Sequence, residues 1–135
     1  MAKFAATDYK VTINGTNLST NLNSVELSIE SDDLETTAFG SEWRTRVGGL
    51  RTGSVTLSFL QDFGAGAVDA TLFPLFNTIA TVVIVPTSGT VTSTNPSYTA
   101  TALVNQYMPF ASSVGDIATL SVTWPTSGTI TRATA

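Results

Sequence analysis

A long interruption between two alternating stretches of sequence is the feature that most constrains this chain. Residues 25–30 alternate apolar and polar side chains, residues 54–59 do the same, and the interruption lies between them. Alternation with a period of two predicts half-buried β-strands. The two strands can pair as a hairpin, but hairpin connections usually have about two to five residues. A much longer connection in a compact domain is commonly functional, so we expect residues 31–52 to form a long loop with a role of its own.

This loop carries both apolar side chains and a change of charge sign. Phe39, Trp43 and Leu50 are apolar residues that need a partner surface. Acidic residues occupy the first part of the loop, and arginines occupy its last part. Such a segment suits contact with another copy of the protein, which can present complementary charges. Trp43 has two other interpretations, because it can stack on a ligand or fold back onto the core of its own domain.

The rest of the chain has the pattern of a β protein. We place strands at about residues 8–13, 24–31, 52–61, 79–85, 98–107 and 117–124, with a further edge strand near 128–131. Asn14 and Gly15 follow the first strand and predict a tight hairpin turn, since both accept positive φ. The β-branched run at 79–85 predicts a strand that is buried on both faces or covered by a helix. Residues 1–7 have little pattern, and we expect them to form a flexible N-terminal arm.

One segment has the period of a helix. Apolar residues at spacings of three and four predict a helix over 67–78, with Asp69 as an N-cap or first-turn acid. Pro74 removes a backbone hydrogen bond, which favours a short helix. Strands outnumber this one helix and are joined by turns. The predicted fold is therefore mainly β, an antiparallel β-sandwich or small barrel with one short flanking α-helix and a long inter-strand loop, in a single domain over residues 1–135.

Four aromatic residues outside the loop have predicted positions. Phe59 and Trp124 lie on strands, and we assign both to the core. Tyr107 and Phe110 come at the end of a strand, and we interpret them as packing residues rather than recognition residues.

The composition excludes several classes of function. The chain has no cysteine and no histidine, so it holds neither a disulfide framework nor a Ser-His-Asp or Cys-His mechanism. Its net charge is −4, and no cluster of Lys and Arg predicts a surface that binds nucleic acid. No apolar run approaches the roughly 20 residues of a membrane helix, and the start of the chain lacks the apolar core of a signal peptide. We therefore expect synthesis in a cytoplasm and no contact with a membrane.

Two groups of acidic residues have the chemistry of candidate sites. Asp32, Asp33 and Glu35 can hold a calcium ion, but they lack the spacing of an EF-hand loop and read more simply as a solvated acidic turn. Glu26 and Glu30 can act as the carboxylate pair of a glycoside hydrolase, but four residues along a strand separate their Cα atoms by roughly 13 Å. A polar strand face is the simpler interpretation. We predict no catalytic site, no metal site and no cofactor, so the protein is not expected to be an enzyme.

A series of short motifs, in a fixed order along the chain, resembles the series found in a known protein family. An Asn-Gly turn precedes an acidic strand, and the loop contains TTAFGSEWRTRVGGL (36–50). VTLSFLQDF (55–63), DATLFPLF (69–76) and TVVIVP (81–86) follow in that order. Asn95-Pro96 comes before the next strand, and VGDIATLSVTWP (114–125) ends the fold. Over nearly its whole length the chain resembles the tail tube proteins (major tail proteins) of long-tailed, siphovirus-type bacteriophages.

The resemblance implies an assembly function. Members of that family have a β-sandwich flanked by a short helix, and they form hexameric rings that stack into a tube through which DNA is ejected into the host. Their long loop reaches neighbouring subunits. The resemblance implies a protein of the virion tail, made in the bacterial cytoplasm, with tail-tip, tape-measure and terminator proteins as partners. The residues it implies for contact between subunits are Leu34, Phe39, Trp43, Arg44, Arg46 and Leu50.

A conduit for DNA also needs a lining that does not bind DNA. Negative or hydroxyl-bearing side chains repel or ignore phosphates, so a channel surface of this kind lets the polymer slide. The polar positions of the two alternating strands are suitable lining residues: Glu26, Ser28, Glu30, Ser54, Thr56 and Ser58. Two other functions remain open from the sequence, namely a different virion β-sandwich, such as a capsid decoration protein, and a carbohydrate-binding module.

Overall fold

The computed structural model describes residues 3–135, and its strands form two antiparallel sheets. The strands are β1 (Lys10–Ile13), β2 (Thr16–Asn17), β3 (Leu22–Glu35), β4 (Arg46–Leu60), β5 (Ile79–Val85), β6 (Ser97–Leu103), β7 (Thr119–Pro125) and β8 (Thr131–Ala133). The larger sheet has the order β2-β1-β5-β6-β8, and the smaller has the order β3-β4-β7. A 3-10 turn at Ser19–Asn21 precedes β3. Because the two sheets are separate, the sandwich form of the predicted fold is confirmed.

The core lies between the inward faces of the two sheets. Side chains alternate between buried and outward along β4 and β7, as a pleated strand requires. Phe59 and Trp124 are fully buried, which confirms their assignment to the core. The indole Nε1 of Trp124 donates a hydrogen bond to the Gln106 carbonyl at 2.9 Å, so the buried ring leaves no polar atom without a partner.

The predicted turn after the first strand is present. Asn14 and Gly15 have φ angles of 50° and 89°, and they connect Ile13 to Thr16 across a tight hairpin. Positive φ at both central residues is the requirement of the type I′ turn that Asn-Gly favours. An edge strand is present near the end of the chain, as β8, which pairs with β6, but it begins at Thr131, about three residues later than predicted.

The loop predicted at residues 31–52 is shorter than expected, because strands occupy much of it. β3 continues to Glu35 and β4 begins at Arg46, so the connection itself covers residues 36–45. The ladder runs on to the pair Glu35–Arg46, with a bulge after Ser31. The sequence here has no apolar face to signal a strand. Backbone hydrogen bonds between the two strands, and not burial, keep this part extended.

The helix and β5 also differ from expectation. The helix α1 spans Val68–Leu75, with Asp69 in its first turn and Pro74 near its end, and it buries Val68 and Leu72 in the core. It ends where Phe76 becomes extended and the chain turns through Asn77 at a φ of 65°, whereas Pro74, inside the helix, removes only the hydrogen bond to the Ala70 carbonyl. β5 has the predicted bounds, but the prediction that both of its faces are covered is wrong, since Ile79 is 53% exposed.

Candidate assembly surfaces

The outer parts of β3 and β4, with the connection between them, form a hairpin that extends beyond the core. We call residues 31–52 the arm and residues 36–45 its tip. Along the arm Leu34 lies opposite Val47, and each is about half exposed. Leu50 is 81% exposed, Trp43 is 83% exposed, and Phe39 is fully exposed. Trp43 therefore does not fold back onto its own core, and the arm presents a series of uncovered apolar side chains.

The arginines predicted to contact a neighbouring subunit are paired within the arm. Arg44 lies 3.1 Å from Glu35, and Arg46 lies 2.5 Å from Asp33. The change of charge sign along the sequence thus places opposite charges across the hairpin from each other. All four side chains are largely exposed, so each pair stabilises the arm by about 0–1 kcal/mol. Contact of these arginines with another subunit stays a prediction.

Hydrogen bonds hold the tip in one shape. The Thr36 amide donates to the Thr45 carbonyl at 2.8 Å, and the hydroxyls of the same two residues lie 2.7 Å apart. The Thr45 amide also donates to the Thr37 hydroxyl at 2.9 Å. The tip is therefore closed at its base, and its aromatic residues project from an ordered loop.

The six residues predicted to line a channel share one face of the smaller sheet. Glu26 lies opposite Thr56, and Ser28 lies opposite Ser54. Alternation along the two strands puts Glu30 and Ser58 on the same side. This polar face (Glu26, Ser28, Glu30, Ser54, Thr56 and Ser58) is the outward face, opposite the core.

Strand β7 extends the polar face, which the lining prediction did not include. Ser121 lies opposite Ser58, and Thr123 lies opposite Thr56, with their threonine hydroxyls 3.2 Å apart. The alternation of residues 119–124 was visible in the sequence, but the pairing of β7 beside β4 was not. The face is a continuous surface of hydroxyl and carboxylate groups. Whether it borders a channel stays a prediction.

A second exposed apolar surface lies at the end of the smaller sheet away from the arm. Phe63 and Phe110 stack there with ring centroids 5.6 Å apart, and Phe110 is 83% exposed. Val114 and Ile117 are also exposed. Phe110 thus packs on Phe63 but remains open to solvent. No pattern in the sequence indicates this surface, because its members come from two segments that the strand pattern does not connect.

Tyr107, at the same end, is partly buried and packs against the core. Its hydroxyl donates to Asp69 at 2.5 Å and accepts from the Gln61 amide at 3.3 Å. Burial, and then the hydrogen bond to Asp69, raise the pKa of Tyr107 above its usual range. The bond ties α1 to the segment that follows β6, so Tyr107 is a packing residue, as predicted.

An apolar groove opens beside the inward face of β3. Of four surface grooves of 370 to 380 Å³ in residues 3–135, it is the one lined by apolar and aromatic residues alone. We call it the β3 groove. Its walls include Phe4, Tyr9, Leu27, Ile29, Ile84 and Tyr98.

The N-terminal segment forms one wall of the β3 groove. Phe4 packs against Tyr9 with ring centroids 6.3 Å apart. Asp8 accepts hydrogen bonds from the amide and hydroxyl of Ser88 at 3.0 and 2.9 Å, and these bonds lower the pKa of its carboxyl. The predicted flexible arm at residues 1–7 begins outside the described residues. From residue 3 to residue 9 the chain has no regular secondary structure, and its flexibility stays a prediction.

Residues 3–135 contain no cluster of three or more acidic side chains placed to share a metal ion. Among those residues, no helix has the length and apolar character needed to cross a membrane. Glu26 and Glu30 sit on one exposed strand face and not in a cleft, so the geometry of a carboxylate pair around a substrate is not met there.

Comparison with known proteins gives a likeness in structure only. No protein-family model matches the chain, and no curated protein matches its sequence. A chain from the virion of a native gene transfer agent particle superposes with a TM-score of 0.77 at 14% identity, covering 97% of this chain and 99% of that one. A chain from the tail of an empty gene transfer agent particle, which has C6 symmetry, superposes with a TM-score of 0.56 at 17% identity, covering 85% and 83%. This protein therefore shares its fold with structural chains of a gene transfer agent particle.

Proposed function

We propose that this protein is a structural protein of the tail of a phage-like particle, in which its copies form stacked rings. The observation that carries the proposal is the shared fold over 97% of the chain with a chain of a gene transfer agent virion. The related tail has C6 symmetry, which supports six copies per ring. The tail is then a tube of the siphovirus type, and this chain is its major tail protein.

The arm supports this function, because it offers the contacts that a ring requires. Rings form from heterologous contacts, in which one patch of a subunit meets a different patch of the next. The arm projects away from the core and carries uncovered apolar residues, including Trp43 and Leu50. Loss of solvent from such residues is a main source of stability in protein interfaces. Leu34 and Phe39 join this contact surface, with Arg44 and Arg46 at its edge.

The polar face supports a channel through which DNA passes to the host. Glu26 and Glu30 are exposed on that face, and the strand register surrounds them with serine and threonine. Carboxylates repel phosphates, so DNA moves along such a surface without binding. The protein in this proposal is made in the bacterial cytoplasm, becomes part of the virion tail, and meets tail-tip, tape-measure and terminator proteins.

Electron microscopy tests the assembly. We expect the concentrated protein, alone or with the tail-tip proteins of its particle, to show rings or tubes with sixfold averages. Monomers under both conditions contradict the proposal, and binding to capsids without stacking points instead to a decoration protein. A reconstruction with Glu26 and Glu30 on the outside of the tube contradicts the channel assignment alone.

A pair of variants tests the arm. Trp43→Ala combined with Leu50→Ala should leave the domain folded, since both residues are exposed, and should abolish assembly. Phe110→Ala is the matched control, because Phe110 is as exposed as Trp43 at 83% but lies at the other end of the sheet. Circular dichroism checks the fold, and microscopy checks the rings. Normal rings from the arm variant contradict this role of the arm.

A further inference from the structure

The β3 groove is an incomplete packing site within the monomer. Ile29 is on the side of β3 that faces the core, as Val25 and Leu27 are, yet it is 55% exposed. Phe4 is 50% exposed on the opposite wall. Exposed apolar side chains grouped around a concave surface are typical of a binding site and unusual on a surface that stays in water.

The tip of the arm carries exposed aromatic side chains of the kind that fill an apolar groove. Trp43 is 83% exposed and Phe39 is fully exposed, and both project from the loop that Thr36 and Thr45 close. Large aromatic residues that enter apolar pockets are the commonest strong contacts in protein interfaces. A tip that is already ordered loses little conformational entropy when it binds.

The tip cannot fill the groove of its own chain. Strand pairing, with one bulge between Ser31 and Asp33, separates Ile29 in the groove from the tip, and the ladder does not end until Glu35. At the rise of a β-strand, this part of the arm is roughly 20 Å long. Pairing resumes on the far side of the bulge, at Asp33 and Gly48, so the hairpin stays extended and does not fold back over that distance. Any tip that enters the groove therefore belongs to another copy.

Charge favours the same contact. Arg132 on β8 lies directly opposite Tyr98 of the groove wall, so the two side chains share a face, and Arg51 lines the adjacent groove that also includes Ile29. Glu42 is next to Trp43 at the tip, and it forms no ion pair among the described residues. A tip entering the groove thus carries an acidic side chain toward a basic rim, which aids both orientation and the rate of encounter.

We propose that Trp43 of one copy inserts into the β3 groove of a neighbouring copy, beside Ile29. This inference rests on the proposed self-assembly and names the surface that receives the arm. The contact is heterologous, since tip and groove are different patches, so each copy can give its tip to one neighbour and receive the tip of another. Repeated around an axis, that contact closes a ring.

The absence of cysteine allows a direct test by disulfide cross-linking. One preparation carries Ser41→Cys with a size tag, which leaves Trp43 in place beside the new thiol at the tip, and the other carries Ile29→Cys. After mixing under assembly conditions and mild oxidation, we expect a linked pair that reducing agent separates. Cysteines held together by binding have effective concentrations near millimolar, so the link should form on the order of a thousandfold faster than between free micromolar copies.

The matched control replaces Ile29→Cys with Phe110→Cys. Phe110 is more exposed than Ile29, so a collision without binding should link it at least as readily. Linking of Ser41→Cys to Phe110→Cys in preference to Ile29→Cys overturns the inference and identifies the other apolar surface as the receptor. Assembly without the link to Ile29→Cys also overturns the inference but leaves the proposed function standing. Absence of assembly and of both links overturns the two together.

Non-covalent variants provide a second measurement. Ile29→Asp places a charge in the groove and should weaken assembly by roughly thirtyfold or more, the effect expected of a central contact. Glu42→Lys reverses the charge at the tip and should slow assembly, most strongly at low salt. Sedimentation at a series of concentrations measures both effects. An Ile29→Asp protein that assembles normally contradicts docking in the groove.

Discussion

The two halves of the β3–β4 hairpin share one ladder but differ in what holds them. In the inner half, Val55, Leu57 and Phe59 are fully buried against the larger sheet. In the outer half the strands stay paired, yet the side chains are exposed and ion pairs join them across the hairpin. Strand pairing and burial are therefore separate properties of this hairpin. The inner half stabilises the domain, and the outer half is free to serve contact between copies.

The largest difference between the halves should appear when a side chain is removed from each. Phe59→Ala empties a fully buried site, and we expect it to lower the free energy of unfolding by about 3–5 kcal/mol. Leu50→Ala, on the same strand in the outer half, should change it by no more than about 0.5 kcal/mol. Urea denaturation of the two variants measures both values. A large loss for Leu50→Ala means that the arm belongs to the folding unit of the core.

Substituting alanine at two glycines of β4 compares the two halves again, with a smaller expected difference in the free energy of unfolding. A Cβ at Gly53 lies 2.6 Å from Ile130 Cδ1 and 2.7 Å from the Ser28 carbonyl oxygen, and that backbone atom cannot easily move. We expect Gly53→Ala to cost about 1–3 kcal/mol through this overpacking. A Cβ at Gly48, in the outer half, meets nothing within 4 Å. Gly48→Ala should be neutral or slightly stabilising in the same denaturation experiment, and equal costs for the two variants contradict the comparison.

Single polar contacts should give the smallest effects. Tyr107→Phe removes the hydrogen bond to Asp69 in the body of the domain, with an expected loss of about 1 kcal/mol at neutral pH. The pKa of Tyr107 is raised on folding, so the contribution of the protonated hydroxyl is complete below the unfolded pKa of about 10 and is lost as pH rises through the folded value. The stability of the parent protein should therefore approach that of the variant in strong base.

Breaking an ion pair of the arm gives the corresponding measurement for the outer half of the hairpin. Arg46→Met breaks the exposed pair with Asp33, and we expect a loss below about 1 kcal/mol that shrinks further in high salt. Thermal unfolding at several pH values and salt concentrations separates the two variants. A pH-independent difference for Tyr107→Phe contradicts the role assigned to its hydroxyl.

The sequence predicted most of the fold where burial leaves a pattern. The run at Ile79–Val85 is a strand with those bounds, and the Asn14-Gly15 turn is present. The outer arm was missed because Asp33 and Glu35 have no apolar face and are held by their partners on β4. Only the register reveals that Arg46 lies opposite Glu35.

The sequence predicted one of the two candidate assembly surfaces, the arm, but not the groove. The sequence assigns Phe39 and Trp43 to the arm and leaves a core position open for Trp43, and the structure exposes both. The β3 groove was not foreseen, because Phe4, Ile29 and Tyr98 come from distant parts of the chain. Such a surface exists only after the two sheets have packed, and no local pattern in the sequence describes it.

The continuous ladder of the arm restricts how its length can change in related chains or in design. Successive residues of a strand point to opposite sides, so inserting one residue into β3 and one into β4 turns every side chain beyond that point to the other side. Leu34 and Val47 would then exchange sides with their neighbours. Inserting two residues into each strand leaves Leu34 and Val47 pointing to their present sides. The reach of the arm can therefore be adjusted only in steps of about 7 Å, two residues at a time.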